Sequence, residues 1–406
     1  MSSERWNTLV LTGANGVAAA LALVFLAVAG RLLRPDAYSD FAAALSIVHL
    51  GTFAIINPLN QTIAHHVARL RAMRIDAEVE AARLHYLNAV WRWGLPLLPV
   101  AAALAFPVAR WLRIPSPLVP FLGFAILFAL VHLNVERAVI QGEQRVAPYA
   151  VNFVSESALR LLFGAALVLR LGTPSAGLTG YFLSIVVAAA PLTLARGVPA
   201  GRPGLTTGGY SFTTVFSPLL IVSIASAAFQ NSDVLFVKAF FTGSEAGRYA
   251  AVAFLAKALQ VLVLPFSVML TPSLELAKDA RGARRTLTRL CLHYAASAAA
   301  ATVVLAVVGE TFITLLYGAA YAPAAHLIVP LAIATCLSAL SYLIGHALAL
   351  KGRLRFALLY LALAGVQWLA FSVQHRSLDA IPQVMIAVQA AAVALLALAF
   401  AASQRR

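Results

Sequence analysis

The chain has 406 residues, of which 61% are apolar and 11% charged, with a mean hydropathy of +0.86. A soluble surface carries about 25% charged residues and a disordered chain far fewer apolar ones, so both classes are excluded. A spanning helix takes about 20 residues, so the apolar fraction covers roughly ten to thirteen spans. The net charge is +15, from 30 Lys and Arg against 15 Asp and Glu. No basic, aromatic-interleaved soluble domain offers that charge to nucleic acid; it fits cytoplasmic loops facing anionic lipid.

Taken in chain order, the predicted spans are Thr8–Leu32, Phe41–Val67, His85–Val108, Leu118–Asn134, Tyr149–Leu169, Leu178–Leu194, Thr213–Phe236, Ala250–Ser273, Leu290–Val308, Ala324–Leu348, Phe356–Val373 and Pro382–Ala402. The first reads as a retained helix. Its apolar run exceeds that of a signal peptide, and Met1–Trp6 has no net side-chain charge. Short connectors leave no room for a soluble catalytic domain. The longest break, Arg196–Phe212, is rich in Gly and Pro and lies near the midpoint. It predicts two six-helix halves, residues 1–200 and 213–406, joined by a linker to about 212.

With the N-terminus inside, the inner segments hold 19 Lys and Arg and the outer segments 7. That bias predicts both termini in the cytoplasm and an even number of spans. An internal repeat supports the division. Asp36-Ala37-Tyr38-Ser39-Asp40-Phe41-Ala42-Ala43 precedes the second span, and Glu245-Ala246-Gly247-Arg248-Tyr249-Ala250-Ala251 precedes the eighth. Each following helix carries a proline, Pro58 or Pro265, at nearly equal distance. Both copies fall outside after an odd span. The predicted class is therefore an all-α polytopic membrane protein, its two bundles related by a pseudo-two-fold axis along the membrane normal.

Polar groups inside a bilayer must face water or a partner. Asn152, Glu156 and Arg160 in the fifth span are spaced i, i+4, i+8 and share one helical face. Glu156 is placed to pair with Arg160. Asn57, Gln61 and His65 in the second span repeat that spacing, as do Ser338, Tyr342 and His346 in the tenth. The seventh span carries Gln230, Asn231 and Asp233, with Lys238 just past its end; the eighth carries Lys257 and Gln260. Arg160 and Lys257 lie deep enough to line a water-filled lumen. Asp233 pairing with Lys238 or Lys257 would instead latch helices together. Lys238, Arg31 and Arg34 also suit membrane-end anchors, and the other polar groups interhelical hydrogen bonds.

No metal site is expected. His65 and His66 are adjacent and point to different faces, no HExxH is present, and Cys291 and Cys336 read as small buried hydrophobes. His375 with Asp379 reads as a surface pair. A P-loop and a GxSxG are both lacking, which excludes a membrane ATPase.

The chain resembles the bacterial polysaccharide flippases of the multidrug/oligosaccharidyl-lipid/polysaccharide (MOP) exporter superfamily. The resemblance rests on Gly30-Arg31-Leu32-Leu33-Arg34-Pro35-Asp36-Ala37-Tyr38 in the first outer loop, where Arg34 and Ser39 replace the family's usual glycines. It rests also on Arg137-Ala138-Val139-Ile140-Gln141-Gly142, on Gln230-Asn231-Ser232-Asp233-Val234-Leu235-Phe236-Val237, and on the Glu245–Ala251 run. It implies an inner-membrane flippase without a cofactor, a monomer whose partners are membrane lipids and polysaccharide-assembly proteins. The substrate it implies is an undecaprenyl-diphosphate-linked oligosaccharide, moved from the cytoplasmic to the periplasmic leaflet by alternating access through a cationic central cavity. Such a headgroup cannot cross hydrocarbon unaided, and Arg and Lys suit its phosphates. The expected cavity cations are Arg160 and Lys257, with Arg31, Arg34 and Lys238. Asn57, Gln61, Asn152 and Gln260 would line the cavity as polar groups, and Glu156 and Asp233 would serve gating or ion coupling. A multidrug cation antiporter of the same superfamily requires an acidic lumen. A polysaccharide polymerase or ligase requires a long outer loop, and none here exceeds about fifteen residues.

Overall fold

The structure is a computed structural model and describes residues 3–196, 212–259, 280–350 and 354–403. Among these residues the regular structure is helical throughout. Eleven helical stretches are long and apolar enough to cross a membrane. Most of the predicted eighth span, Pro265 and the central linker lie outside the described residues.

The chain folds as two compact units. One comprises Met1–Leu33 and Ile55–Ser217; the other comprises Arg34–Ala54 and Pro218–Arg406. A stretch near the N-terminus, 34–54, belongs with the C-terminal unit.

In the first unit, α1 (Ser3–Leu32) packs on α6 (Val146–Leu171), which packs on α7 (Pro174–Arg196). A Cβ added at Gly180 of α7 would sit 2.5 Å from the Gly164 Cα of α6, so this crossing needs glycine at 180. The helices α3 (Asn57–Ala72) and α4 (Asp76–Trp111) pack against α5 (Leu118–Gly142). Their shared core includes Ile63, Val67, Leu87, Val135 and Val139. The most apolar window of α4 is only 6% buried, with Trp93, Leu97 and Phe106 outward. An apolar face left uncovered in a membrane protein faces lipid.

In the second unit, α2 (Pro35–Gly51) packs against α9 (Gly243–Lys257). Thus the two copies of the sequence repeat lie side by side. Gly247 is required there: a Cβ at 247 would collide with the Pro35 carbonyl. The start of α9 is fixed by a capping box, Thr242 with Glu245. The central helix is α8 (Phe212–Phe240), which belongs to this unit from Pro218 onward and whose most apolar window is 78% buried. Around it stand α11 (Ile328–Leu350), α12 (Leu354–Val373) and α13 (Ala380–Ser403). The Phe229 carbonyl of α8 accepts from Gln367 of α12 at 3.2 Å and Gln389 of α13 at 3.3 Å. Long, lipid-facing α10 (Ala280–Tyr317) leads through a 3₁₀ segment, Ala319–Leu327, into α11.

A single membrane crossing, Pro35–Ala72, contains α2, a π-helical turn at Thr52–Ile56, and α3. Pro58 lacks an N–H, and its ring displaces the carbonyl of Ala54 four residues earlier. The π turn absorbs that defect. The Thr62 hydroxyl donates to the Pro58 carbonyl at 2.7 Å. The boundary between the units, Ala54/Ile55, lies within this turn.

Candidate functional site

Helix α6 has a polar face because Asn152, Glu156 and Arg160 recur every fourth residue. The first two are buried, and Arg160 keeps a side-chain exposure of 14%. Opposite them, α5 presents Arg137, also buried. Its Nε donates to Asn152 Oδ1 at 2.8 Å, and Nη2 lies 3.8 Å from Glu156 Oε2. The other Glu156 oxygen lies 3.4 Å from Arg160 Nε. Asn152 completes the bridge by donating from Nδ2 to the Ala188 carbonyl of α7 at 2.7 Å. The guanidiniums also lie over rings, Arg137 at 5.0 Å from Phe153 and Arg160 at 4.5 Å from Tyr181. Among the described residues, these two guanidiniums therefore share one carboxylate within ion-pair distance.

One residue along α5, Glu136 begins a second network. Its Oε1 accepts from Arg83 Nη1 of α4 at 2.6 Å and from Thr193 Oγ1 of α7 at 3.4 Å. The Thr193 hydroxyl also meets His132 Nε2 at 3.3 Å. Arg83 reaches back to Glu80, with Nε donating to Oε1 at 2.8 Å.

In the second unit, two lysines each pair with an aspartate. Asp233 of α8 accepts from Lys257 of α9 at 2.7 Å and from the Tyr249 hydroxyl at 3.1 Å. Lys238 takes a different partner, Asp40 of α2 at 2.5 Å, and donates to Ser39 at 2.7 Å. These pairs pin α8 to α9 and to α2.

No family model and no curated protein sequence matches this chain. Solved structures do. A multidrug resistance MATE family transporter of the MOP superfamily, in an inward-facing conformation, aligns with a TM-score of 0.69 at 12% identity, over 96% of this chain and 98% of that one. The lipid II flippase MurJ, in an inward closed conformation, aligns with a TM-score of 0.70 at 10% identity, over 96% of this chain and 87% of its own. A MOP superfamily transporter from Pyrococcus furiosus, described as having a binding pocket of reversed polarity, aligns with a TM-score of 0.59 at 13% identity, over 98% and 96%.

The chain has the MATE/MurJ fold.

This fold has two six-helix halves, as the sequence predicts. The predicted site residues divide into four groups on it. Asn152, Glu156 and Arg160 come together in the first unit. Asp233 and Lys257 come together in the second, with Lys238 nearby on α8 but paired elsewhere. Arg31 and Arg34 stand exposed at the end of α1 and the start of α2. Asn57 is half-buried and Gln61 exposed on α3, as is His65 one turn further, while His66 is buried against the Tyr86 hydroxyl at 2.7 Å. Gln260 lies outside the described residues.

Arg160 and Lys257 are each within ion-pair distance of a carboxylate, Glu156 and Asp233, the pairings the sequence allowed. Asn152 is committed on both sides of its amide, which makes it a bridge among α5, α6 and α7. The surface pair differs from the one expected: Asp379 meets His326 at 3.1 Å, and His375 stacks on Phe240 at 4.1 Å.

Sequence reasoning passed over Arg83, Glu136, Arg137 and Asp40 as loop or helix-end charges. The usable signal was spacing. Glu136 lies four residues after His132 and so shares its face on a continued α5.

Proposed function

We propose that this chain is a bacterial inner-membrane flippase. It would move an anionic, diphosphate-linked lipid oligosaccharide between leaflets by alternating access, with both termini in the cytoplasm. The observation that carries this reading is the Arg137–Glu156–Arg160 cluster, in which one carboxylate serves two guanidiniums. A charge excess inside an apolar unit is costly without a counter-charge, and a diphosphate supplies one. Guanidiniums also give phosphate bidentate, charge-assisted hydrogen bonds. Support comes from α3, where Gln61 and His65 are exposed on a membrane-spanning segment. Such groups face aqueous cavities rather than lipid, and they suit sugar hydroxyls. One structural neighbour, MurJ, is a flippase for a lipid substrate by its printed name.

The paired charges favour an anionic cargo over organic cations, which would call for carboxylate excess, whereas the buried Asp233 is already matched by Lys257. The multidrug reading is still favoured by the MATE neighbours, so the test must separate the two. The purified chain is reconstituted in proteoliposomes with a fluorescent undecaprenyl-diphosphate oligosaccharide, and leaflet exchange is followed by quenching. The expected result is exchange in the natural chain and a loss of about tenfold or more in Arg160→Ala, since one charged hydrogen bond contributes about 1.5–3 kcal/mol. Equal rates in both, or efflux of organic cations in place of lipid exchange, would overturn the proposal.

A further inference from the structure

The exposed face of α10 changes chemistry along its length. Arg281, Arg284, Arg285, Arg289 and His293 all line one shallow, open cavity along this helix. None of the four arginines has a carboxylate within ion-pair distance among the described residues, and the first turn of α10 contains no acidic residue. From Leu292 to Val307 the same face is mostly apolar, His293 and Ser297 being its exposed polar residues, and Leu292, Val303, Val304 and Val307 are each more than half exposed. The opposite face, with Ala283, Leu287, Tyr294 and Ala298, is buried in the second unit. So the helix is anchored on one side, and on the other it presents four guanidiniums followed by an uncovered hydrocarbon-like strip.

We infer that this face of α10 is a binding site for an anionic membrane phospholipid, with its phosphate headgroup in the arginine-lined cavity and an acyl chain along the strip below. The apolar run from Leu292 to Val307 is about 22 Å long at the helical rise, longer than one leaflet of a roughly 30 Å hydrocarbon core. An acidic protein segment would match the arginines but leave the strip uncovered. A free phosphate would likewise use only the upper part. A phospholipid matches both, and arginine clusters at the end of a spanning helix suit anionic headgroups. This site is separate from the α5–α6 cluster and does not depend on what the protein transports.

The test measures retained lipid and leaves transport aside. The full chain is reconstituted in nanodiscs of phosphatidylglycerol and phosphatidylcholine, released in the mass spectrometer, and scored for bound phosphatidylglycerol. A triple variant, Arg284→Gln with Arg285→Gln and Arg289→Gln, is expected to lose retention on the order of a hundredfold, since each interfacial cation gives about fivefold. The control removes three other exposed basic residues near the end of α3, Arg69→Gln with Arg71→Gln and Arg74→Gln, and is expected to change retention less than twofold. Equal losses in the two variants would reduce the effect to general surface charge and overturn the inference, as would no loss in the first. Leu292→Glu keeps the arginines and spoils the strip; it is expected to lose lipid as well. Full retention in Leu292→Glu would mean that phosphate alone is recognised, and would overturn the phospholipid assignment.

Discussion

Glu156 holds Arg137 and Arg160 together on one carboxylate, 3.8 and 3.4 Å away. Removing that charge strands two cations in an apolar unit, and breaking a buried pair costs about 3–5 kcal/mol. Glu156→Gln is therefore expected to lower the thermal unfolding midpoint of the purified protein markedly. Adding Arg160→Gln to it should recover part of the loss, because only Arg137 then remains and Asn152 still accepts from it. If the double variant unfolds no later than the single one, the carboxylate is not shared as described. In the second unit, Asp233 and Lys257 form a balanced pair. Each single neutralisation, Asp233→Asn or Lys257→Met, is expected to destabilise more than both together. A double-mutant cycle should return a coupling of about 1 kcal/mol or more, and additive effects would refute the pairing. The i, i+4 spacing made the Glu156–Arg160 contact readable in advance. The partner of Lys238 was not readable, because Asp40 lies about half the chain away and nothing local distinguishes it from Asp233.

At the level of helices, charge marks a loop only until it finds a partner. The expected fourth span ended at Asn134, yet α5 continues to Gly142 because Glu136 and Arg137 are satisfied by Arg83, Thr193 and Asn152. The same reasoning placed the second span's start at Phe41, whereas α2 begins at Pro35, a residue suited to a first helical turn. The acidic-Ala and aromatic-Ala-Ala signature was legible as a repeat, but its physical use was not: it makes the small-residue contact of α2 with α9. Gly247→Val should therefore push α9 off the Pro35 carbonyl. The expected cost is about 1–3 kcal/mol, read as a lowered unfolding midpoint, while the same substitution at Gly365, where added atoms meet open space, should be close to silent on packing grounds. Equal effects at the two positions would sink that account.

At the level of the whole chain, composition alone specified a helical membrane protein, because nothing else accommodates so much apolar surface with so little charge. The two-half organisation of the fold was also legible, from the repeat and the even span count. The assignment of 34–54 to the C-terminal unit was not, since sequence continuity argues that neighbours in the chain share a unit. It has a measurable outcome. Expressed separately, residues 1–207 would carry α2 without α9, and residues 208–406 would carry α9 without α2. Ten residues of α2 are buried in the intact protein. Neither fragment is expected to be monodisperse alone, and co-expression should restore a single species on size-exclusion chromatography. A well-behaved 208–406 fragment would contradict the assignment.

That arrangement also sets a clock for biogenesis. Asp40 emerges from the ribosome long before Lys238 exists, and α2 before α9. At roughly 5–20 residues per second, the interval is about 10–40 s. For that time the nascent α2 sits in the translocon or bilayer with its carboxylate unmatched and its future contact face against lipid, so the insertion machinery must shelter it until the second half of the protein is made.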